Sequence, residues 1–174
     1  MGYKEFAASI LEKFGGKKNK QAAEPLTVYA PFAGNAIAME DIPDPVFSQG
    51  ILGQGCGLEP EEETVCAPFD GTVTQIIDTK HAVGVTSKDG MELLIHVGMD
   101  TVAMKGEGFQ CLVKEGDAVK AGQKLMTFSM AAIKAAGHPM TTAVVVTNAD
   151  DFGAVQVLAK GHVAQGDPLL KAKK

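Results

Sequence analysis

The sequence predicts an all-β fold: an antiparallel β-sandwich or barrel-sandwich hybrid with pseudo-symmetric halves, short helices and an N-terminal amphipathic helix. Three observations lead there. Twenty glycines and eight prolines in 174 residues, with no tryptophan, supply many tight turns. From Thr27 onward, short aliphatic and β-branched runs alternate with turn residues at a spacing of about 8–12 residues, as in sandwiches and barrels. Finally, two motifs recur. Val28-Tyr-Ala-Pro-Phe-Ala-Gly34 returns as Val65-Cys-Ala-Pro-Phe-Asp-Gly71, and Val119-Lys-Ala-Gly-Gln-Lys-Leu125 as Val163-Ala-Gln-Gly-Asp-Pro-Leu169.

In chain order, residues 3–14 form the amphipathic helix candidate. Tyr3, Phe6, Ala7, Ile10, Leu11 and Phe14 make one stripe at helical spacing, with Lys4, Glu5, Ser9, Glu12 and Lys13 opposite. Gly15-Gly16 stops the helix and Lys17-Lys18-Asn19-Lys20 is a basic tether, so residues 1–22 are set apart from a domain at 23–174. A helix this short is marginal alone in water. Its stripe suits an anionic membrane surface; docking on its own domain or on a second copy is the alternative.

Strands are expected at 27–30, 35–39, 56–58, 63–66, 72–77, 82–86, 91–97, 108–112, 124–129, 143–147 and 155–159. The Ala-rich run 130–136 reads as a short helix closed by Gly137 and Pro139. In each Ala-Pro-Phe-x-Gly a strand ends at a proline, which cannot donate to a central ladder, and the glycine is expected to permit a sharp re-entry. In Val-x-x-Gly-x-x-Leu the glycine makes a tight turn between two core anchors. Both motifs read as scaffolding.

Composition narrows the function. Hydrophobic content of 45% and charge of 21% are those of a globular domain. There is no apolar run long enough to span a bilayer and no secretory signal, so a cytoplasmic location is expected, with contact at the inner face of the membrane through residues 3–14. Three separated cysteines without a Cys-x-x-Cys fit a reducing compartment and read as buried filler. The first 20 residues carry +3 and the remainder −8, against −5 overall. An acidic body disfavours nucleic acid and favours a basic protein partner. No arginine is present, so a bidentate phosphate fork must come from a partner.

The stretch 79–100 carries the chemistry. Ser87-Lys-Asp-Gly90 is a turn tetrapeptide between two β-branched or aliphatic flanks, hence a β-hairpin. If Thr86 pairs with Met91, His81 lies directly opposite His96, on a face that also carries Leu94, Val83 and Val85. A three-residue loop would instead pair Ala82 with His96 and put the rings on opposite faces. Opposed Cβ atoms lie roughly 4.5–5.5 Å apart, close enough for two imidazoles to share a metal, a proton or a phosphoryl group. Two unrelated surface histidines are the plain alternative. His138 and His162 read as surface or loop residues.

At these residues the chain resembles the glucose-type IIA component of the bacterial phosphoenolpyruvate:sugar phosphotransferase system. The resemblance runs from about Thr27 to Lys174. It rests on Ala30-Pro-Phe-Ala-Gly34, Glu40-Asp-Ile-Pro-Asp-Pro-Val-Phe47, Gly53-Gln-Gly55, Ala67-Pro-Phe-Asp-Gly71, Thr79-Lys-His81-Ala and Leu94-Ile-His96-Val-Gly-Met-Asp-Thr101, followed by Lys105-Gly-Glu-Gly-Phe109. It implies that His96 accepts a phosphoryl group through Nε2 from the phosphocarrier HPr and passes it to the cysteine of a membrane sugar permease IIB domain. His81 then stabilises the phosphoryl oxygens, the Thr79 hydroxyl orients His81, and backbone near Gly98 sets the His96 tautomer. Asp44 and Asp100 meet basic residues of HPr. Val46, Phe47, Ile51, Leu52 and Leu94 form an apolar docking ring. No cofactor is implied.

Two other chemistries share this architecture. A zinc hydrolase needs three protein ligands and an open position, whereas only His81 and His96 are close, so the pair holds metal only with a partner's carboxylate. A biotinyl or lipoyl carrier needs a lysine at a hairpin tip, and Lys134 falls on the expected helix. A regulatory binding module without phosphotransfer is the third reading.

Overall fold

The computed structural model describes residues 24–173, so the helix and tether read at residues 1–22 lie outside the described residues. The described residues form fourteen strands: β1 (Thr27–Tyr29), β2 (Gly34–Ala38), β3 (Gln54–Pro60), β4 (Thr64–Cys66), β5 (Gly71–Ile76), β6 (Ala82–Ser87), β7 (Glu92–His96), β8 (Phe109–Cys111), β9 (Ala118–Val119), β10 (Lys124–Phe128), β11 (Thr142–Val146), β12 (Ala154–Val157), β13 (Gly161–Val163) and β14 (Pro168–Lys173). They form an eight-stranded sheet in the order β13-β2-β3-β11-β7-β6-β5-β9 and two three-stranded sheets, β1-β14-β12 and β4-β10-β8. Every pairing among them is antiparallel.

The repeated motifs are the hinges of an internal pseudo-two-fold. Tyr29 N–H donates to the Pro68 carbonyl at 2.9 Å, and Cys66 N–H returns the bond to Pro31 at 2.8 Å. Ala30 N–H bonds Asp167 at 2.8 Å while its carbonyl accepts from Gly166 at 2.9 Å; Ala67 repeats both contacts with Gln123 at 2.7 Å and Gly122 at 2.9 Å. Ladder pairs correspond as well: Val28↔Leu170 in one half matches Val65↔Met126 in the other. The two halves therefore exchange hydrogen bonds at equivalent positions.

Gly34 and Gly71 work differently from the sharp re-entry expected of them. Neither has positive φ. Instead, a Cβ at Gly34 would collide with the Glu59 carbonyl, and one at Gly71 with the Thr86 carbonyl. A neighbouring backbone passes too close for any side chain.

Two apolar clusters lie on opposite faces of the large sheet. The main core includes Phe32, Leu58, Leu93, Ile95, Val144, Val146, Met126, Leu169 and Leu170. The smaller one holds Ile42, Phe47, Met99, Ala143 and Val145, with Met39 and Leu94 against it. Strand β11 feeds both, alternate residues going to alternate faces, and all five of its residues are buried. The Ala-rich helix is present as Met130–Ala135, capped by Ser129 Oγ, which accepts from Ala132 N–H at 3.0 Å.

Three strands were not expected: β9, β13 and β14. They lie within or beside the Val-x-x-Gly-x-x-Leu motifs, whose turns connect strand to strand. Strand β14 opens on Pro168 and buries Leu169 and Leu170 consecutively, which removes the alternation that marks a half-buried strand. His162 belongs to β13 and is exposed, its Nε2 3.0 Å from Glu61 Oε1.

The hairpin register also differs from the Thr86–Met91 pairing. Ala82 pairs with His96, Val85 with Leu93 and Thr86 with Glu92. Ser87 extends its strand: its N–H donates to the Met91 carbonyl at 2.9 Å and its Oγ accepts from Met91 N–H at 3.2 Å. Gly90, at φ +87°, closes a three-residue loop. Val83 and Val85 consequently face the main core, and the His96 face carries Ala82, Gly84 and Leu94.

Candidate functional site

Despite that register the two histidines meet. His81 precedes the first ladder residue of β6, and the chain reaches it from a turn closed by Lys80 N–H to Ile77 O at 2.7 Å, with Lys80 at φ +61°. Strand alternation does not bind a residue leaving such a turn. Its carbonyl accepts the Val97 N–H at 2.8 Å, while its ring lies edge to face with that of His96, centroids 4.6 Å apart at 83°. The rings thus come together around the end of the ladder and not across it.

Each ring has one nitrogen assigned. His96 Nδ1 is 2.9 Å from the Gly98 carbonyl. A carbonyl only accepts, so Nδ1 carries the proton and Nε2 of the neutral ring keeps its lone pair. His81 Nδ1 is 2.7 Å from Thr79 Oγ1. When the threonine hydroxyl donates, His81 bears its proton on Nε2 and can donate a hydrogen bond.

Burial keeps both rings uncharged. His81 is 4% exposed. Desolvation, then the neighbouring His96, pushes its pKa down to about 4. Desolvation lowers His96 also; the Gly98 carbonyl and the carboxylates of Asp44 and Asp100 act in the opposite direction. Near neutral pH the pair is therefore two free bases, one with an unprotonated Nε2 set in an apolar surround.

The segment before β3 forms one wall. Asp44 caps the short helix Pro45–Ser48, its Oδ1 accepting from Val46 N–H at 2.8 Å. The cap holds Phe47 down onto His96, ring centroids 5.0 Å apart. Of the expected docking ring, Phe47 is buried and Leu94 half-buried in the smaller core, whereas Val46, Ile51 and Leu52 are exposed by 40%, 65% and 40%. Phe47 is thus a packing partner of the His96 ring, and the open apolar surface belongs to the other three. Ile51 N–H bonds the Val46 carbonyl at 3.1 Å, which keeps these side chains on one loop.

Three features near His96 were missed in the sequence. Val102, in the 3₁₀ turn Thr101–Met104 that follows Asp100, is 55% exposed and adds apolar surface beside that acid. The Pro139 carbonyl accepts the Met99 N–H at 3.0 Å, so the loop containing His138 supports the one after β7. Thr101 is fully buried and donates to the Val97 carbonyl at 2.6 Å. Val102 and Thr101 both lay beside the His96 motif, which Thr101 closes, but nothing in the spacing showed the Thr101 hydroxyl turning back to Val97; the Pro139 contact joins a residue that sequence spacing does not link to His96.

Among the described residues, no group of three or more His, Cys, Asp or Glu side chains is disposed to hold a metal ion. Likewise among them, no helix is long and apolar enough to cross a membrane.

Fold and site together define a class: a small antiparallel β-sandwich carrying an uncharged histidine pair, with one free Nε2, at an apolar and acidic rim. Comparison with known proteins places it further. Residues 26–152 match the family model described as phosphoenolpyruvate-dependent sugar phosphotransferase system, EIIA 1. The chain is 37% identical over 150 residues to a glucose-specific EIIA component from Staphylococcus aureus, covering 86% of this chain and 90% of that one. It is 46% identical over 143 residues to a glucoside-specific EIICBA component from Staphylococcus carnosus, covering 82% of this chain but only 20% of that longer protein. The solved glucose permease IIA from Mycoplasma capricolum superposes with a TM-score of 0.77 at 31% identity, over 85% of this chain and 96% of that one.

The chain belongs to this EIIA family, and so is a phosphocarrier component of a phosphoenolpyruvate-dependent sugar phosphotransferase system. The zinc hydrolase reading finds no support in these relatives, and the β-sandwich expected from the sequence is the fold they share.

Proposed function

We propose that His96 is the phosphoryl acceptor and that the chain relays phosphate from HPr to the IIB cysteine of a membrane sugar permease. The observation that carries this is the Nδ1 bond of His96 to the Gly98 carbonyl, which leaves Nε2 as the nucleophile. The Nε2 lone pair forms a new N–P bond as the P–N bond of the donor phosphohistidine breaks, and the donor imidazole leaves with the electron pair. In the onward step a cysteine thiolate attacks the same phosphorus and the His96 P–N bond breaks.

The neighbours divide the remaining work. His81, held by Thr79, donates from Nε2 to the phosphoryl oxygens. Phe47 and Leu94 exclude water that would hydrolyse the intermediate. Val46, Ile51 and Leu52, with Val102, supply apolar docking area, and Asp44 and Asp100 draw in a cationic partner surface. An arginine-free chain suits a partner that brings the guanidinium groups itself.

The sugar permease partner is supported by the EIICBA relative, whose name joins a IIA part to IIC and IIB parts in one chain. Glucose or a glucoside is the substrate class those relatives' names carry. A cytoplasmic protein, reaching the inner membrane face through residues 3–14, fits this role. As read from the sequence, the phosphocarrier needs no cofactor, and it holds metal at His81 and His96 only with a partner's carboxylate.

The test is incubation with phosphoenolpyruvate, the general first enzyme of the system and HPr. Acid-labile phosphate on His96, absent in His96→Gln, is the expected result. Label on another residue, or equal labelling of the variant, would sink the assignment.

A further inference from the structure

The loop that follows β7 presents the Gly98 carbonyl to His96, and its own support is unusually explicit. Two peptide planes matter. In the first, Val97–Gly98, the carbonyl accepts the Thr101 hydroxyl at 2.6 Å. In the second, Gly98–Met99, the N–H is tied to the Pro139 carbonyl at 3.0 Å while the C=O, pointing the other way, receives the His96 Nδ1–H at 2.9 Å. Gly98, at φ +76°, is the joint between them.

Thr101 acts on that joint twice. Its hydroxyl anchors the first plane, and its Cγ2 lies where a Cβ on Gly98 would come within 2.5 Å. The side chain is fully buried, as is Val97, so water cannot replace the hydroxyl. Among the described residues, no other side chain donates to the Val97 carbonyl.

We infer that Thr101 is a positioning residue for phosphotransfer: by clamping the Val97–Gly98 peptide it aims the Gly98 carbonyl at His96 and so selects the tautomer with a free Nε2. The inference rests on His96 being the acceptor, but its first readout does not. Removing the hydroxyl leaves a buried carbonyl unsatisfied and lets the Gly98 joint rotate, which weakens the bond that holds the proton on Nδ1. The Nε2–H tautomer of His96, which has no lone pair at Nε2 with which to attack phosphorus, then gains population.

The experiment uses the full chain with ¹⁵N-labelled histidines. Long-range ¹H–¹⁵N spectra near neutral pH should place wild-type His96 in the Nδ1–H form. Thr101→Val, nearly isosteric, should move it toward a mixture and slow phosphoryl uptake from phosphorylated HPr roughly 10- to 100-fold, the range typical when a partner that orients a metal-ligating imidazole is removed. Thr101→Ser, which keeps the hydroxyl, should restore the wild-type tautomer and most of the rate. A Thr101→Val protein with unchanged His96 tautomer and uptake overturns the proposal. So does loss of the fold in both Thr101→Val and Thr101→Ala, which would make Thr101 a core residue only. If the tautomer shifts in Thr101→Val while wild-type His96 never takes up phosphate, the positioning role stands and the phosphocarrier assignment of His96 falls.

Discussion

His81 and His96 touch edge to face at 4.6 Å although it is Ala82, not His81, that stands opposite His96 in the ladder. The contact is made by a turn residue reaching around the strand end. That origin leaves His81 4% exposed and beside a second imidazole, and its chemistry follows from those two facts.

Stability should depend on pH through His81. Its folded pKa is about 4, below the ordinary 6.5 of an unfolded histidine. The unfolded chain therefore binds more protons between those values, and stability rises with pH across that window. The contribution is complete above about pH 6.5 and lost as pH falls through about 4, for a total of roughly 3 kcal/mol. Urea denaturation at pH 7 and pH 4 should show this difference in the wild type and a smaller one in His81→Gln. Equal slopes in both proteins would remove His81 as the source.

Phosphorylation should reverse one of the forces on that ring. In the resting protein the neighbouring His96 lowers the His81 pKa. A phosphoryl dianion on His96 would attract a proton to His81 instead, so its pKa should rise, which NMR titration of the phosphorylated chain would detect. His81→Gln should still load phosphate from HPr yet fail to donate it onward. A variant that loads and donates at wild-type rates would strip His81 of its assigned part.

Asp44 has two separable duties, a helix cap and a charge near His96. Asp44→Asn keeps an acceptor for Val46 N–H but removes the charge, so the His96 pKa should fall with little loss of stability. Asp44→Ala should lower the pKa equally and also destabilise by about 1 kcal/mol, as lost caps do. Thermal melts alongside His96 titrations distinguish the variants. An Asn variant as unstable as the Ala variant would contradict the cap.

The pseudo-two-fold predicts matched costs at Gly34 and Gly71. An added methyl at either meets a carbonyl of the adjacent strand, a backbone collision that cannot relax by rotating a side chain. Gly34→Ala and Gly71→Ala should each destabilise by roughly 1–3 kcal/mol, the range of overpacked sites. Denaturant midpoints near wild type for either one would show that the strands can part there.

Much of this was legible because it is local. The recurrence of Ala-Pro-Phe-x-Gly named the two hinges, and Ser87-Lys-Asp-Gly90 named the hairpin. Ala-rich residues closed by Gly137 and Pro139 marked the helix now seen at Met130–Ala135. The resemblance around His96 led to the family that the comparisons establish. Strand β14 escaped because Leu169 and Leu170 are buried in succession; a strand covered on both faces loses the period of two that identifies it.

By itself the sequence determined eleven of the fourteen strands in order, the repeat and the identity of the two histidines, since each is written in neighbouring residues. Tertiary structure decided the hairpin register, the ring contact and the clamp on Gly98. One residue of loop length transfers every side chain of a strand to the other face, and Ser87 settled that by bonding Met91. His81 reached His96 through the left-handed turn at Lys80. Phe47 packs on the His96 ring and the Pro139 carbonyl braces Met99 beside it, from segments distant in the sequence, through contacts made only when the chain has closed on itself; the Thr101 bond to Val97 closes locally within that loop.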